Sequence, residues 1–381
     1  MDLSVIIPTH ARPRKLAACL ARLARQTLAG DRYEVLVGVD GPDEGSAAAA
    51  REAWGRCGAA LTVIPCPRAG YNAARNALLP QARGRYLVSL NDDVLPEPGF
   101  LEEHLRAHAE REAAERGAGR GAVITGYSPF VRFEDETVFD VLARETSMIF
   151  FYDQMVPAED QPGPAAGGPT LRGGSSGPAG SGPAAERRAT REPEWDWGFR
   201  HCYGLNFSAP AGAVREVGGF VAFPLAYGYD DIELAFRLRE RLGLPVLFRA
   251  RARAEHDHRY TPRGVLEREE RLGAAAWHFA GVNPAFAGAV FGRDIRSEGE
   301  LAYSREFVER EAGLARLLEG TFLALGEMAA GAIEGAHRGT LLAALYQHHL
   351  PLKRYWWRRG LLGAADGAAT RAPERALASG V

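Results

Sequence analysis

Short runs of apolar residues alternate with amphipathic stretches over the first 127 residues. Five apolar runs lie at residues 3–7, 35–39, 61–64, 86–90 and 122–125. Each run is short and continuous, as buried strands are. Between the runs, apolar residues recur at helical spacing, as Leu16, Leu20 and Leu23 do. Strands that alternate with helices of about 10–15 residues indicate βαβ units and a mostly parallel sheet.

A low-complexity segment interrupts this pattern further along the chain. Glycine, proline, alanine and serine dominate from about residue 157 to 193. Such a composition buries too little apolar surface to offset its ordering entropy. We therefore expect a flexible insertion there, which is either an idle surface loop or a mobile lid.

We expect folded structure to begin again at Trp195. Periodicity predicts a helix over 231–242, a strand over 246–248, mostly helix over 264–350 and a frayed end over the last 20 residues. These patterns divide the chain at two places. Residues 1–127 and 128–262 form the two halves of an α/β domain, and residues 263–381 form a helical C-terminal extension.

Composition excludes some functions. The formal net charge of −2 leaves no basic excess for neutralising phosphates, so we expect no nucleic-acid partner. The four cysteines lack metal-type spacing and fit a reducing compartment. The chain has neither a basic, cleavable leader nor an apolar stretch of about 18 residues. We therefore expect a cytoplasmic protein without a signal peptide.

Polar residues follow several of the predicted strands. Thr9, Asp40 and residues 91–93 (Asn-Asp-Asp) all stand at strand ends, where open α/β sheets bind their ligands. Adjacent carboxylates repel each other, a cost that is tolerated when a cation lies between them. A hard divalent ion prefers such oxygens and keeps positions for phosphate. The alternative for residues 91–93 and for Asp40 is a plain turn.

Later charged residues also have two interpretations each. Arg68 and Arg75 can contact a nucleotide or its phosphates, or they are solvated helix residues. Asp230 with Glu233 resembles a capping box at a helix start, whereas the functional interpretation makes one of the acids at 230–231 a general base.

Two histidines follow the last predicted strand. His256 and His258 stand two residues apart and point to the same side. They either ligate a metal, or one of them is held charged beside carboxylates in a structural pair.

The order of these motifs is more specific than any one of them. Residues 4–9, 37–40, 73–76 and 84–93 resemble the family 2 glycosyltransferases with the GT-A fold. Residues 204–208, 217–220 and 229–238 resemble the acceptor-side half of that family. The resemblance spans roughly residues 2–260 without the insertion. It implies an α/β, Rossmann-like domain with a mostly parallel central sheet flanked by helices, residues 1–127 being the nucleotide-sugar-binding half.

The resemblance also implies an activity and a donor site. The protein would be an inverting hexosyl- or deoxyhexosyltransferase that moves a sugar from a nucleoside-diphosphate sugar to an acceptor hydroxyl on a glycan, a lipid-linked sugar or a small molecule. The residues implied in donor binding are Pro8, Thr9, Asp40, Arg68, Arg75 and Asp92. Asp40 would receive the base and Asp92 the ribose.

Metal and acceptor residues are implied in the same way. Asp93 would hold a divalent metal, Mn²⁺ or Mg²⁺, on the diphosphate, with His256 or His258 joining it. Asp231 matches the catalytic base of inverting members. Trp195, Trp197, Asn206 and Asp230 would shape the sugar and acceptor pocket. Asn91 and Asp230 depart from the family, where aspartate and glutamate are commoner.

Other interpretations of the chain stay open. A nucleotidyltransferase also uses a nucleotide-binding sheet and carboxylate-bound magnesium, but it usually needs a glycine-rich loop that residues 8–14 lack. A degenerate, non-catalytic sugar-binding scaffold is the third hypothesis. Residues 351–359, basic and aromatic, suit a peripheral contact with the inner face of a membrane. They equally suit a helix end packed on the catalytic domain or a contact within a homo-oligomer.

Overall fold

The structure is a computed structural model that describes residues 1–115, 120–156, 195–223 and 227–378. The insertion predicted at about 157–193 lies outside the described residues. Among the described residues, no helix combines the length and the apolar composition needed to cross a bilayer.

A central sheet of eight strands organises the described residues, in the order β3-β2-β1-β4-β7-β6-β8-β5. The strands are β1 (Leu3–Thr9), β2 (Tyr33–Asp40), β3 (Ala60–Cys66), β4 (Tyr86–Leu90), β5 (Val94–Pro96), β6 (Val123–Tyr127), β7 (Asn206–Pro210) and β8 (Val246–His256). Each of the five predicted apolar runs is one of these strands. Pairing is parallel among β3, β2, β1 and β4 and between β6 and β8, while β7 and β5 run antiparallel to their neighbours.

Helices cover both faces of the sheet. They are α1 (Pro13–Leu23), α2 (Glu44–Trp54), α3 (Tyr71–Leu78), α4 (Phe100–Ala114), α5 (Val138–Glu145), α6 (Tyr152–Met155), α7 (Ala211–Glu216), α8 (Asp230–Leu242), α9 (Pro262–Val282), α10 (Pro284–Phe291), α11 (Glu298–Gly326) and α12 (Arg338–Ala378). Alternate residues of β1 belong to different cores: Val5 and Ile7 to one, Ile6 to the other. Burial on both faces explains why the strands are continuous apolar runs.

Two expectations differ from the structure. β8 is longer than the predicted strand at 246–248 because its second half alternates charged residues with buried Ala252 and Ala254, which breaks the apolar run. The expected frayed end is wrong, since α12 runs to Ala378.

The helical extension packs through close contact between α9 and α12. Gly273 of α9 and Gly360 of α12 lie at this crossing, where a side chain at either position would overlap the backbone of the other helix. Leu352 and Trp356 of α12 pack into a core that includes α5. The apolar side of residues 351–359 is therefore turned into the protein.

Gly360→Ala is expected to destabilise the protein by about 1–3 kcal/mol, because the added methyl group overlaps the carbonyl oxygen of Glu270. Gly363→Ala on the same helix is the matched control. A side chain at Gly363 meets nothing, and alanine is the better helix former by roughly 0.5–1 kcal/mol. Chemical denaturation of both variants measures the difference, and equal midpoints would contradict the close crossing.

Candidate functional site

Polar residues from neighbouring strands meet at one edge of the sheet. β1 and β4 are parallel neighbours, so Thr9 at the end of β1 lies beside the residues that follow β4. Thr9 Oγ1 donates a hydrogen bond to Asp92 Oδ2 over 2.8 Å. Asp40 ends β2, the strand on the other side of β1. The structure thus brings Thr9, Asp40 and Asp92 to the edge expected from their places in the chain.

Asp93 shares a cluster with His256 and His258. Antiparallel pairing of β5 with the end of β8 sets Val94 opposite His256 and brings the histidines to the aspartate. His258 Nδ1 lies 3.2 Å from Asp93 Oδ2, and His256 Nε2 lies 3.7 Å from Asp93 Oδ1. One ligand atom from each residue lies within 4.8 Å of the other two. Two imidazoles and a carboxylate at this spacing can hold a divalent metal ion.

Hydrogen bonding and burial distinguish the two adjacent aspartates. Among the described residues, the buried atoms Asp93 Oδ1 and His256 Nδ1 lack a hydrogen-bond partner. Burial opposes the charge of Asp93, but the two histidines and Arg12 hold its pKa well below the usual range. Burial raises the pKa of Asp92 to about 6, although Arg12 opposes the shift. Asp93 is therefore the firmer anion and the better partner for a cation.

Arg12 spans both carboxylates. Its guanidinium donates to Asp92 Oδ1 over 2.8 Å and to Asp93 Oδ2 over 2.7 Å. The side chain comes from the turn before α1 and is 37% exposed. One cation thus offsets the repulsion between neighbouring acids. Arg12 could not be recognised from the sequence, because one arginine in the basic stretch 10–14 carries no distinguishing pattern.

Aromatic rings surround the two histidines. Phe130 stacks on His256 with ring centres 5.1 Å apart, and Phe150 lies 5.8 Å from the same ring. Tyr260 lies 4.3 Å from His258. These rings fix the imidazole planes and reduce their contact with water. These rings were not predicted from the sequence as part of the site. Only Tyr260 stands near a candidate residue in the chain, two residues beyond His258.

The Asp40 end of the site has a second set of contacts. Asp40 Oδ1 accepts hydrogen bonds from the amides of Ala69 and Gly70 over 2.9 and 3.2 Å. The exposed Arg68 contacts His10, whose Nδ1 lies 2.6 Å from the Asp40 carbonyl oxygen. Asp40 and Arg68 are therefore neighbours, as their shared predicted role requires. Pro8, by contrast, is buried within β1 opposite Gly38.

Asp231 lies in the first turn of α8. Its two carboxylate oxygens accept hydrogen bonds from the amides of Gly204 and Ile232 over 2.7 and 2.8 Å. Burial, reinforced by the neighbouring charge of Asp230, raises the pKa of Asp231 to about 7. A carboxylate with such a pKa can accept a proton near neutral pH.

The expected capping box at this helix is wrong. Tyr229 is the N-cap residue and makes no side-chain cap. Glu233 instead binds Arg237 one helical turn later, with a contact of 2.7 Å. The first-turn acids are therefore available for other contacts.

Arg75 joins the two acidic motifs. Its guanidinium donates to Asp230 Oδ2 over 3.1 Å and to Asn91 Oδ1 over 2.8 Å. Tyr71 donates its hydroxyl to the other Asp230 oxygen over 2.6 Å. Arg75 is only 2% exposed. The start of α8 and the loop after β4 are thus held together through one buried cation.

The sequence of residues 4–129 matches the family described as Glycosyl transferase family 2. This match covers about the first third of the chain, from β1 to β6. A validoxylamine A glucosyltransferase from Streptomyces hygroscopicus subsp. limoneus is 27% identical over 254 residues, which cover 64% of this chain and 49% of that protein. The glycosyltransferase AglE of Haloferax volcanii is 32% identical over 99 residues, covering 26% of this chain and 33% of its own. The chain spans about half the length of the glucosyltransferase relatives that it matches.

A solved structure supports the fold. The mannosyltransferase PcManGT from Pyrobaculum calidifontis, in complex with GDP-Man and Mn²⁺, superposes with a TM-score of 0.53 at 17% identity. The superposition covers 97% of this chain and 86% of that one. The expected GT-A architecture with a helical C-terminal region is therefore confirmed.

Asn206 has a structural role in the sheet. It is fully buried. Its side-chain nitrogen donates to Ser128 Oγ over 3.1 Å and to the Ala252 carbonyl over 3.0 Å, and its oxygen lies 2.9 Å from His104 Nε2. The amide therefore joins β6, β7, β8 and α4. It does not face a pocket as the resemblance implied.

The backbone of Trp195 and Trp197 is anchored away from the carboxylates, while the Trp197 ring packs against the core that includes Tyr152 and Tyr203. The Trp197 amide donates to the carbonyl of Val246 over 2.8 Å, and the intervening Asp196 binds Arg239. These contacts fix the segment beside the start of β8 and the C-terminal half of α8. The carboxylate cluster lies at the opposite ends of both elements.

Arg75→Met is expected to lower the free energy of unfolding by roughly 3–5 kcal/mol, because it leaves Asp230 buried without its cation. Chemical denaturation measures this loss. The control is Arg32→Met, which breaks the exposed pair with Asp2 and should change stability by less than about 1 kcal/mol. Equal effects of the two changes would show that Arg75 does not hold the acidic motifs together.

Proposed function

We propose that this protein transfers a sugar from a nucleoside-diphosphate sugar to an acceptor hydroxyl, with inversion at the anomeric carbon. The observation that carries the proposal is the link between the two acidic motifs. Arg75 connects Asn91, next to the metal-ligand cluster, to Asp230, next to Asp231. A proton acceptor and a cation-binding group thus stand on one edge of the sheet, as a transfer between donor and acceptor requires.

The donor's nucleoside would lie against the ends of β1 and β2. Asp40 Oδ1 is already bound by two amides, and among the described residues Asp40 Oδ2 has no hydrogen-bond partner. That oxygen would accept an N–H of the base. Thr9 and Asp92 would contact the ribose. Arg68 would cover the solvent-exposed side of the nucleoside site. Pro8 supports this wall from within β1 and does not touch the ligand.

The diphosphate would lie at the Asp93 cluster. A divalent metal on Asp93, His256 and His258 would neutralise the charge that develops on the departing diphosphate. Two imidazole ligands suit Mn²⁺ better than Mg²⁺, which prefers oxygen ligands and water. Arg12 is half exposed and bound to the same carboxylates, so its guanidinium would turn to the phosphates when a metal takes its place.

Asp231 would act as the general base. The acceptor oxygen forms a bond to the anomeric carbon from the face opposite the diphosphate, whose bond to that carbon breaks. The hydroxyl proton passes to Asp231. The amides of Gly204 and Ile232 hold the carboxylate in place, and its raised pKa favours taking up the proton.

Asp231→Asn is expected to abolish transfer while leaving donor binding unchanged. In the unaltered protein, kcat/KM should rise as pH rises through about 7, because Asp231 accepts a proton only when it is ionised. Rate profiles between pH 5 and 9, together with calorimetry of donor binding, measure both effects. Glu240→Gln, an exposed acid on the same helix, is the control. Normal turnover by Asp231→Asn would exclude the base assignment.

Asp93→Ala is expected to remove the manganese-dependent part of donor binding, because the metal loses its carboxylate ligand. Calorimetry with and without manganese measures this, using the donor that gives the largest thermal shift in a panel of nucleoside-diphosphate sugars. Asp257→Asn is the matched control, since this nearby acid binds Lys15 instead. If both variants keep the manganese effect, the metal lies elsewhere.

A further inference from the structure

A cleft outside the α/β domain is lined by an unusual set of charges. It lies between α12 and the start of α11 and has a volume of about 700 Å³. Its cations are Arg293, Lys353, Arg354 and Arg358, and its single carboxylate is Glu300. Four positive charges against one negative charge make the lining strongly basic in a protein whose net charge is −2.

Two of the four cations share one carboxylate. Glu300 binds Arg293 over 2.9 Å with one oxygen and Arg358 over 2.7 Å with the other. Arg358 is also buried, so this arrangement is part of the packing between α11 and α12. Arg293 and Arg358 are thus held in place on one side of the cleft, with a net positive charge.

Lys353 is loosely paired, and Arg354 supplies charge that no carboxylate among the described residues neutralises. The nearest carboxylate oxygen to Lys353 Nζ belongs to Glu269, at 3.9 Å. Arg354 lies over the ring of Phe307, 5.2 Å from its centre, and has no carboxylate partner in the part of the chain that the structure describes. Arg354 can therefore bind an anion from solution, with the loosely held Lys353 beside it.

The remaining wall is apolar and reaches the candidate active site. Tyr303, Leu350 and Trp357 line the cleft beside the cations. The indole N–H of Trp357 donates to the Tyr229 hydroxyl over 3.0 Å, and Tyr229 directly precedes the acids of α8. A ligand here would meet both charged and apolar surface, in a volume that suits a molecule of a few hundred daltons.

We propose that this cleft is a second binding site, which takes a phosphate or diphosphate group attached to an apolar molecule. Arginine and lysine together match the geometry and double charge of phosphate better than those of a carboxylate. The ligand is either a soluble phosphate ester or the headgroup of a lipid. The proposal goes beyond the transfer reaction and does not depend on it, since the cleft and the strand ends share no residue.

Calorimetry with inorganic pyrophosphate in metal-free buffer tests the site directly. Arg354→Gln should weaken binding about tenfold, because one charge-assisted contact is lost. Arg359→Gln is the matched control, since it removes a charge from the same helix at a residue outside the lining and should leave binding unchanged. Asp93→Ala should also bind normally, which separates this cleft from the donor site.

The outcomes of this experiment are distinct. No pyrophosphate binding, or equal weakening by Arg354→Gln and Arg359→Gln, overturns the proposal. Lys353→Gln is a second variant in case Arg354→Gln folds poorly, and it should weaken binding in the same direction. Thermal denaturation of each variant verifies folding.

Flotation with vesicles separates the two sources of phosphate. Vesicles of phosphatidylglycerol that carry the protein, and lose it with Arg354→Gln but not with Arg359→Gln, identify a lipid headgroup. Phosphatidylcholine vesicles, which lack net charge, are the control. Pyrophosphate binding without flotation identifies a soluble phosphate ester. Flotation that both variants lose equally indicates a diffuse basic surface and contradicts a specific cleft.

Discussion

The buried guanidinium of Arg75 is the interaction on which the arrangement of the site depends. It stands between two loops that each carry acids, and both loops would repel each other without it. The low dielectric around it makes the attraction strong and the removal of either partner unfavourable. Through its contacts to Asn91 and Asp230, Arg75 holds the loop after β4 and the start of α8 in register.

Strand pairing supplies the rest of the geometry. Three parallel strands end side by side, and this places Thr9, Asp40 and Asp92 within reach of one ligand. The histidines are positioned by a different pairing. The short β5 turns back and pairs antiparallel with the end of β8, which carries His256. Parallel pairing therefore builds the wall proposed for a nucleoside, and one antiparallel pair adds the imidazoles to the adjacent carboxylate.

Much of the fold could be predicted from the sequence, because strands buried on both faces are unbroken apolar runs. The acids at strand ends were also recognisable, since their position follows from the order of strands and helices. Arg12 and Phe130 were not, because their importance arises only from contacts with residues far along the chain. Asn206 shows the converse: its motif was noticed, but a conspicuous polar residue can serve only to join strands. The role of Trp195 and Trp197 in a sugar pocket stays a prediction.

The position of Arg12 has a thermodynamic consequence. Any cation that binds Asp93 has to compete with a guanidinium that already neutralises it. A ligand that attracts the guanidinium away, as a diphosphate does, makes the carboxylate available and raises the affinity for the metal. By reciprocity the metal raises the affinity for the diphosphate by the same factor. The two proposed ligands would thus be coupled through the Arg12 side chain, without any change in the fold.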